Sequence, residues 1–272
     1  MELSIVIGAY QFIGFHLCKY LLELGDEVLG VDWLEDTAPG NMMEEKQLEI
    51  GRNSNFQFKP LDGLQDFKLS NKATIYVSWY DAVKGSTGKR DHLNRRIQEI
   101  IRTFFAFDPQ ERPRIVLLYP LGIKGEEILQ DNQKADKVIF LPTIYGPWQH
   151  ESMAFEQGVR NRGEAEIKAA LEKEYRLDAI YITDLLDYFV DILDTSEKNI
   201  VVISSKKNQW SMAARVLFGD SITNGDVPEK MVIKDEADHA YHLNNAVAPE
   251  QGINLQRQHY KRLKLLGKWK IR

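Results

Sequence analysis

The chain contains very little cysteine, no excess of basic residues and no long apolar segment. Its 272 residues include one cysteine, Cys18, so disulfides cannot hold the fold together. The formal charge of −5 gives an acidic surface, which neither nucleic acids nor acidic membranes attract. No apolar run approaches the ~20 residues of a membrane-spanning helix, and "MELSIVIGAY" lacks the basic start of a signal peptide. These absences predict a soluble, cytoplasmic protein with no nucleic-acid or membrane partner.

Short apolar segments alternate with helical patterns in the N-terminal half. The segments "LSIVI", "EVLGVDW", "FQFKPLDG", "ATIYVSWY", "RIVLLYPLGI" and "KVIFLPTIYG" are rich in β-branched and aromatic residues and predict six strands. Between residues 91 and 107, apolar side chains recur at helical spacing. Strands that alternate with helices indicate the α/β class, here a Rossmann-like, doubly wound parallel sheet.

Beyond residue 148 the pattern is less regular. Helical stretches such as "EAEIKAALEKEY" alternate with short strands, and the C-terminal part contains the turn-rich segments "NGDVPEK" and "NNAVAPEQG". We therefore expect two domains. Residues 1–148 form a nucleotide-binding domain, and residues 149–272 form a smaller, loop-rich lobe of the substrate-binding type, interleaved with the sheet.

Residues 8–14, "GAYQFIG", have the layout of a dinucleotide-binding turn between a strand and a helix. In such a turn the first glycine allows the bend, the second lets the diphosphate approach the backbone, and the third permits close helix–strand packing. Gly8 and Gly14 take the outer positions, but Gln11 takes the middle one. The Gln11 side chain must therefore either turn aside or occupy the phosphate site itself.

An acidic residue ends the second predicted strand. Asp32 follows Gly14 by about 20 residues, which is the spacing of the carboxylate that binds ribose hydroxyl groups. Its charge would repel the extra phosphate of NADP, so NAD is the preferred cofactor, although Gln11 leaves cofactor binding open. Trp33 and Trp79 either flank the adenine or cover the edge of the sheet.

Six segments resemble the extended short-chain dehydrogenase/reductases, the family of NAD-dependent sugar-nucleotide epimerases and dehydratases. They are "GAYQFIGFHLCKYLLELGDEVLGVD", "PLDGLQD", "IYVSWYDAV", "DHLNRRIQEIIRTFF", "FLPTIYGPWQ" and "IYITDLLDYFVDIL". The resemblance implies a nucleotide or nucleotide-sugar ligand, with Asp62 at the adenine amino group and the residues after the fourth strand along the cofactor. Members of this family often pair through two helices beside the sheet, so a homodimer or a protein partner stays an open alternative.

The expected nucleotide-binding residues follow the first four predicted strands. They are Gly8, Gln11, Phe12, Ile13, Gly14, Asp32, Trp33, Asp62, Gly63, Val77, Ser78 and Trp79. A metal site is not expected. His239 and His242 in "DHAYH" have a spacing that would place both on one turn of a helix, but we interpret them as surface residues.

The catalytic residues of the family are not found where the resemblance places them. The family uses a Ser or Thr after the fifth strand and a Tyr-x-x-x-Lys pair, in which lysine lowers the pKa of the tyrosine that transfers a proton. Here Pro120 and Leu121 follow the fifth strand, and "EEILQDNQKADK" contains no tyrosine or serine. This departure predicts a catalytically impaired protein.

Three residues are weak catalytic candidates. Tyr80 and Lys84 in "YDAVK" match Tyr-x-x-x-Lys, but they follow the fourth strand instead of the fifth. Tyr145 could reach a substrate crevice, although packing against the sheet is the simpler interpretation. Three functions therefore stay open: a nucleotide-binding or sensing module without catalysis, an active epimerase, dehydratase or reductase, and an interaction protein whose crevice is filled by Gln11.

Overall fold

The computed structural model describes residues 2–33, 42–64, 71–84, 90–122, 133–219 and 239–270. The chain divides into two compact units. The first unit comprises Met1–Leu118 and Lys124–Val138, and the second comprises Tyr119–Ile123 and Ile139–Arg272. The predicted dinucleotide-binding turn, with the strand before it and the helix after it, therefore lies in the first unit.

Five of the eight strands of the main sheet lie mainly in the first unit. In the order of their neighbours they are β3 (Phe56–Pro60), β2 (Glu27–Asp32), β1 (Leu3–Ile7), β4 (Thr74–Ser78) and β5 (Arg114–Pro120). Each pair of neighbouring strands is parallel, and this is the strand order of dinucleotide-binding sheets. Ile5, Val6 and Ile7 of β1 are fully buried, as a parallel strand covered on both faces requires. The predicted Rossmann-like α/β class is confirmed.

Helices connect the strands of the first unit. They are α1 (Phe12–Glu23), α2 (Met42–Ile50), α3 (Trp79–Lys84) and α4 (Arg90–Phe105), with a short 3-10 helix at Leu61–Gly63. Helix α1 buries Ile13, Leu17 and Leu21, which recur at helical spacing. The chain leaves α1 through Gly25, whose φ of +88° lies in the region that glycine adopts without strain. Helix α4 matches the helix predicted between residues 91 and 107.

The second unit contributes β6 (Lys137–Leu141), β9 (Asn199–Ser204) and β10 (His239–Leu243) to the main sheet, with β9 between the other two. A separate parallel sheet pairs β7 (Thr143–Tyr145) with β8 (Ala179–Tyr181). Within the described residues its helices are α5 (Ala154–Val159), α6 (Glu164–Leu171), α7 (Ile182–Asp187), α8 (Phe189–Asp194), α9 (Gln209–Phe218) and α10 (Pro249–Lys270). Of the helices in the described part of the chain, none combines the length and apolar character needed to cross a membrane.

The second unit differs from the sequence prediction in three details. The predicted strand "KVIFLPTIYG" is divided at Pro142 into β6 and β7, because proline has no N–H for a ladder hydrogen bond. His239 and His242 lie on strand β10, not on a helix, so their side chains point to opposite faces. The C-terminal segment contains the 22-residue helix α10, which its turn-rich start does not indicate.

Replacing Gly14 with alanine is expected to destabilise the first unit severely. A Cβ at this position would lie 2.0 Å from the carbonyl oxygen of Gly8, so α1 would have to move away from β1. We expect a loss of at least about 3 kcal/mol in the free energy of unfolding, in the range of overpacked cores. Gly63→Ala is the matched control, since its Cβ would make only ordinary contacts at 3.9–4.0 Å with Pro60. Denaturant unfolding measures both variants, and equal stabilities would contradict the close contact.

Candidate functional site

The turn between β1 and α1 has the backbone geometry of a dinucleotide-binding turn. Gly8 has a φ of +94°, and its N–H and that of Ala9 donate to the carbonyl oxygen of Val31, at 2.8 and 3.1 Å. The backbone N–H of Gln11 donates to the carbonyl oxygen of Gly8 at 2.9 Å, and this bond closes the turn. Together with the contact of Gly14 on Gly8, these bonds hold the start of α1 directly beyond the end of β1.

The Gln11 side chain turns towards Asp32. Its Nε2 donates to Asp32 Oδ1 at 2.9 Å, and the backbone N–H of Tyr10 donates to Asp32 Oδ2 at 2.5 Å. The sequence leaves open whether the Gln11 side chain turns aside or occupies the phosphate site. In the structure the side chain turns aside. Both oxygens of Asp32 have partners from the turn itself, and the residue is only 1% exposed.

The N-terminus of α1 is occupied by the carboxylate of Asp81, which lies on α3. The amide N–H groups of Ile13 and Gly14 have no partner within the helix, since the first intrahelical bond runs from Phe15 to Gln11. Asp81 Oδ1 accepts from Ile13 at 3.1 Å and Oδ2 accepts from Gly14 at 3.0 Å. The Ser78 hydroxyl donates to Oδ2 at 2.7 Å. A protein carboxylate thus occupies the place where helix termini bind anions.

A buried lysine on α2 completes the polar cluster. Lys46 Nζ donates to the carbonyl oxygens of Tyr10 at 2.6 Å and Gln11 at 3.2 Å, and also lies 5.4 Å from the centre of the Phe15 ring. Lys46 is 6% exposed. Its charge lies close enough to Asp32 and Asp81 to affect the titration of both carboxyl groups. We call Asp32, Lys46 and Asp81 the buried charge cluster.

Burial dominates the electrostatics of the buried charge cluster. It raises the pKa of Asp32 to about 7, although the hydrogen bonds from Gln11 and Tyr10 and the charge of Lys46 act in the opposite direction. Burial likewise raises the pKa of Asp81. For Lys46, burial lowers the pKa to about 8, against the attraction of Asp81 and Asp32. Burial therefore disfavours the charged form of all three groups.

The indole of Trp33 covers the first glycine of the turn. A Cβ on Gly8 would lie 3.2 Å from Trp33 Cη2 and 3.5 Å from Ser78 Cβ. Both side chains therefore pack against the glycine that allows the bend of the turn. Of the other expected residues, Phe12, Ile13, Val77 and Trp79 are almost completely buried in the first unit.

Asp62 and Gly63 lie apart from the buried charge cluster. Both residues belong to the 3-10 helix after β3. Asp62 Oδ1 accepts a hydrogen bond of 2.9 Å from Arg96 Nε, and the Asp62 side chain is 79% exposed. The predicted contact of Asp62 with an adenine amino group stays a prediction. The structure gives Asp62 an exposed ion pair with α4.

The weak catalytic pair Tyr80 and Lys84 lies on α3, one helical turn apart. Tyr80 is 1% exposed and Lys84 is 8% exposed. Helix α3 also supplies Asp81, so the element that carries this pair is the one that closes the N-terminus of α1. Both side chains contribute to the core of the first unit.

Tyr145 packs among aromatic rings of the second unit. Its ring makes edge contacts with Phe155 at 5.4 Å and Tyr181 at 5.5 Å between centroids. A Cβ on Gly252 would lie 2.8 Å from the Tyr145 ring, so α10 is in close contact with it. Burial, with smaller effects from Asp184 and Tyr181, raises the pKa of Tyr145, which disfavours the phenolate that a general base requires. These contacts fit the packing interpretation.

The segment expected to contain the catalytic residues joins β5 to β6. It consists of residues 121–136, of which 123–132 lie outside the described residues. Its sequence contains no serine, threonine or tyrosine. The prediction that the catalytic residues are lost therefore rests on the sequence alone and stays a prediction.

Two residues of the cluster were not among the predicted site residues. Asp81 lies where the resembling family has small residues along its cofactor, so a carboxylate after the fourth strand was the available signal. Lys46 is the one basic residue in "MMEEKQLEI", whose three glutamates indicate a solvated helix face. The sequence alone does not show that this lysine is buried, because the residues that surround it come from distant parts of the chain.

Solved structures with the same fold are sugar-nucleotide enzymes. UDP-glucuronic acid 4-epimerase from Bacillus cereus, in complex with NAD, superposes with a TM-score of 0.59 at 17% identity, over 96% of this chain and 97% of that one. dTDP-glucose 4,6-dehydratase from Bacillus anthracis, also in complex with NAD, gives 0.57 at 13% identity, over 98% and 99%. The chain therefore shares the fold of these two NAD-bound sugar-nucleotide enzymes.

A relative of higher identity defines the family. The "uncharacterized 37.6 kDa protein in cld 5'region" of Escherichia coli O111:H- is 41% identical over 76% of this chain and 72% of its own length. The chain belongs to the family of this E. coli protein. No family model matches the chain.

Removing the buried lysine is expected to destabilise the protein strongly. Lys46→Met leaves the Tyr10 and Gln11 carbonyls without their donor and two buried carboxylates without a positive neighbour. We expect a loss of about 3 kcal/mol, as for buried charges that lose their partner. Lys19→Met is the control, because Lys19 pairs with Glu49 at a surface where both side chains are about one-third exposed. It should cost less than about 1 kcal/mol in denaturant unfolding. Similar costs for both variants would contradict the cluster.

Asp32 should make stability fall as the pH rises. Its pKa of about 7 exceeds the ordinary 3.8, so the folded state binds the proton more tightly than the unfolded chain. The stability present below pH 4 is then lost between about pH 4 and 7, by an amount on the order of 4 kcal/mol. Asp32→Asn should flatten the pH dependence of the unfolding midpoint. Asp108→Asn, an exposed change in the same unit, should not. Parallel curves for wild type and Asp32→Asn would refute the assignment.

Proposed function

We propose that this protein is a non-catalytic member of the epimerase/dehydratase fold that acts by interaction and keeps its dinucleotide crevice closed with its own side chains. The observation that carries the proposal is the carboxylate of Asp81 on the amides of Ile13 and Gly14. In dinucleotide-binding proteins these helix amides bind the diphosphate.

The described arrangement does not fit NAD. The diphosphate would need the amides that Asp81 holds, and a ribose hydroxyl would need the Asp32 oxygens that accept from Gln11 and Tyr10. The Trp33 indole lies against Gly8, the first glycine of the turn. The proteins of similar fold from B. cereus and B. anthracis are in complex with NAD, but at 13–17% identity their ligand is only an expectation for this chain.

The absence of catalysis is supported by the residues available for proton transfer. Residues 121–136 supply no hydroxyl-bearing side chain, and the literal Tyr-x-x-x-Lys pair, Tyr80 and Lys84, belongs to the helix that holds Asp81 in place. Tyr145 has a raised pKa in an aromatic environment. An active epimerase, dehydratase or reductase is therefore the less favoured alternative. The preferred one is a protein that acts by interaction, in a homodimer or with a protein partner.

A second candidate function is nucleotide sensing without catalysis, in which NAD or a nucleotide-sugar displaces Asp81. The observation that favours it is the turn itself, since Gly8 keeps its positive φ and Gly14 keeps its close contact. In this candidate NAD is preferred over NADP because of the charge of Asp32.

Titration of the full-length protein with NAD and NADP separates these candidates. Trp33 lies against Gly8 of the turn, so tryptophan fluorescence reports on occupancy. The proposal predicts no saturable change up to about 1 mM of either dinucleotide, which corresponds to less than about 4 kcal/mol of binding free energy. A saturable response to NAD would overturn the closed-crevice proposal and favour the sensing candidate.

The catalytic alternative is tested with the same preparation. UDP-glucose and UDP-glucuronic acid, each incubated with NAD, should be recovered unchanged by chromatography. Conversion of either sugar nucleotide would overturn the non-catalytic proposal. Tyr80→Phe and Tyr145→Phe would then show whether either phenol transfers the proton.

A further inference from the structure

The second half of α10 carries positive charge along one face. Residues 257–266 contain four basic residues and no acidic one, although the whole chain has a net charge of −5. Arg257, Lys261 and Lys264 recur at positions i, i+4 and i+7, a spacing that places side chains on the same face of a helix. Both lysines are exposed, and Arg257 Nη2 donates to the carbonyl oxygen of Val216 at 2.9 Å. We call these three residues the basic stripe.

Helices α7 and α8 carry negative charge with the same spacing. Together they contain four acidic residues and no basic one. Asp187, Asp191 and Asp194 recur at positions i, i+4 and i+7, and all three are exposed. A hydrogen bond of 3.0 Å from the Ile192 N–H to the Tyr188 carbonyl oxygen continues the helical turn from α7 into α8. We call the three exposed aspartates the acidic stripe.

An exposed apolar side chain accompanies each stripe. Val190 follows Asp187 by three positions and is 40% exposed, and Leu265 follows Lys261 by four positions and is 59% exposed. At these spacings each apolar side chain lies on the face of its own stripe. Apolar side chains among charged ones are typical of protein–protein interfaces, where the apolar groups form the dry centre and the charges form the rim.

The charges of each stripe repel one another within their own helix, and a facing helix of opposite charge would remove this repulsion. In the described part of the chain, no ion pair includes the two lysines or the three aspartates. We infer that the basic stripe of one copy of this chain docks on the acidic stripe of a second copy, in a dimer with two-fold symmetry. The inference rests on the proposed function and deepens it, because it names the partner.

The position and length of the stripes favour a second copy as the occupant. Both stripes belong to the second unit, so one two-fold axis brings each stripe of a copy to its counterpart on the other. Each stripe extends about 10 Å along its helix, the rise of seven residues, so opposite charges can face each other in register. An anionic membrane fits less well, because it would attract the basic stripe but repel the acidic stripe of the same unit.

Sedimentation velocity of the full-length protein tests the inference. The wild type should form a dimer at low salt that weakens as salt screens the charges. Lys261→Glu combined with Lys264→Glu should weaken the dimer at least about tenfold, because the facing charges then repel. The control combines Lys168→Glu with Lys207→Glu, which makes the same charge change at exposed positions of the second unit and should dimerise like the wild type. A wild type that is monomeric at low salt would overturn the inference.

Exchanging the charges between two variants identifies the occupant as a second copy. Asp191→Lys combined with Asp194→Lys should weaken the dimer as strongly as the α10 double variant does. An equal mixture of the two double variants should associate again, because the α10 variant presents two acidic stripes and the α8 variant presents two basic ones. Renewed association would also show that both variants are folded. A mixture that stays monomeric would overturn the inference.

The remaining outcomes separate this inference from the proposed function. If a monomeric wild type binds vesicles of phosphatidylcholine and phosphatidylserine, and the α10 double variant does not, the basic stripe belongs to a membrane surface and the inference is overturned. NAD binding by a dimeric wild type, in contrast, would overturn the closed crevice and leave the dimer contact supported.

Discussion

The proposed closure of the first unit depends on the hydrogen bonds from the Ile13 and Gly14 amides to the Asp81 carboxylate. They connect α3 to the start of α1 and satisfy two donors that a helix cannot satisfy internally. Hydrogen bonds to a charged group contribute about 1.5–3 kcal/mol each, and this carboxylate accepts three. The same bonds remove the amides from the surface available to a ligand.

A carboxylate that belongs to the chain has an advantage over a free dinucleotide. It is already positioned by the fold, whereas a ligand loses translational and rotational freedom when it binds. The opposing cost is the burial of two carboxylates near one lysine, which is seen in the raised pKa of Asp32 and the lowered pKa of Lys46. The buried charge cluster therefore closes the start of α1 and at the same time lowers the stability of the first unit, as expected for charged groups inside a core.

Much of the fold could be predicted from the sequence because its signals are local. Buried strands such as β1 are continuous apolar runs, α1 has a 3.6-residue period, and Gly8 and Gly14 mark the turn between them. Pro142 is a local signal for the end of a strand, but it lies within a long apolar run that was predicted as a single strand. The start of the long helix α10 was not evident, since its first turn contains residues typical of loops.

The candidate site was predicted only in part, because its decisive contacts join distant segments. The turn, Gln11 and Asp32 could be located from spacing alone, and the structure adds that Gln11 turns to Asp32. The role of Asp81 depends on α3 meeting α1 across 67 positions of sequence, and that of Lys46 on α2 folding over the turn. Neither contact leaves a periodic pattern.

Amide hydrogen exchange at Ile13 and Gly14, followed by NMR, tests the central contact most directly. Amides in the first turn of a helix have no intrahelical acceptor, so their protection depends on whatever accepts from them. The account predicts slow exchange at both positions in the wild type and at least tenfold faster exchange in Asp81→Ala, with the rest of α1 unchanged. Rapid exchange in the wild type, or equal rates in the two proteins, would contradict it.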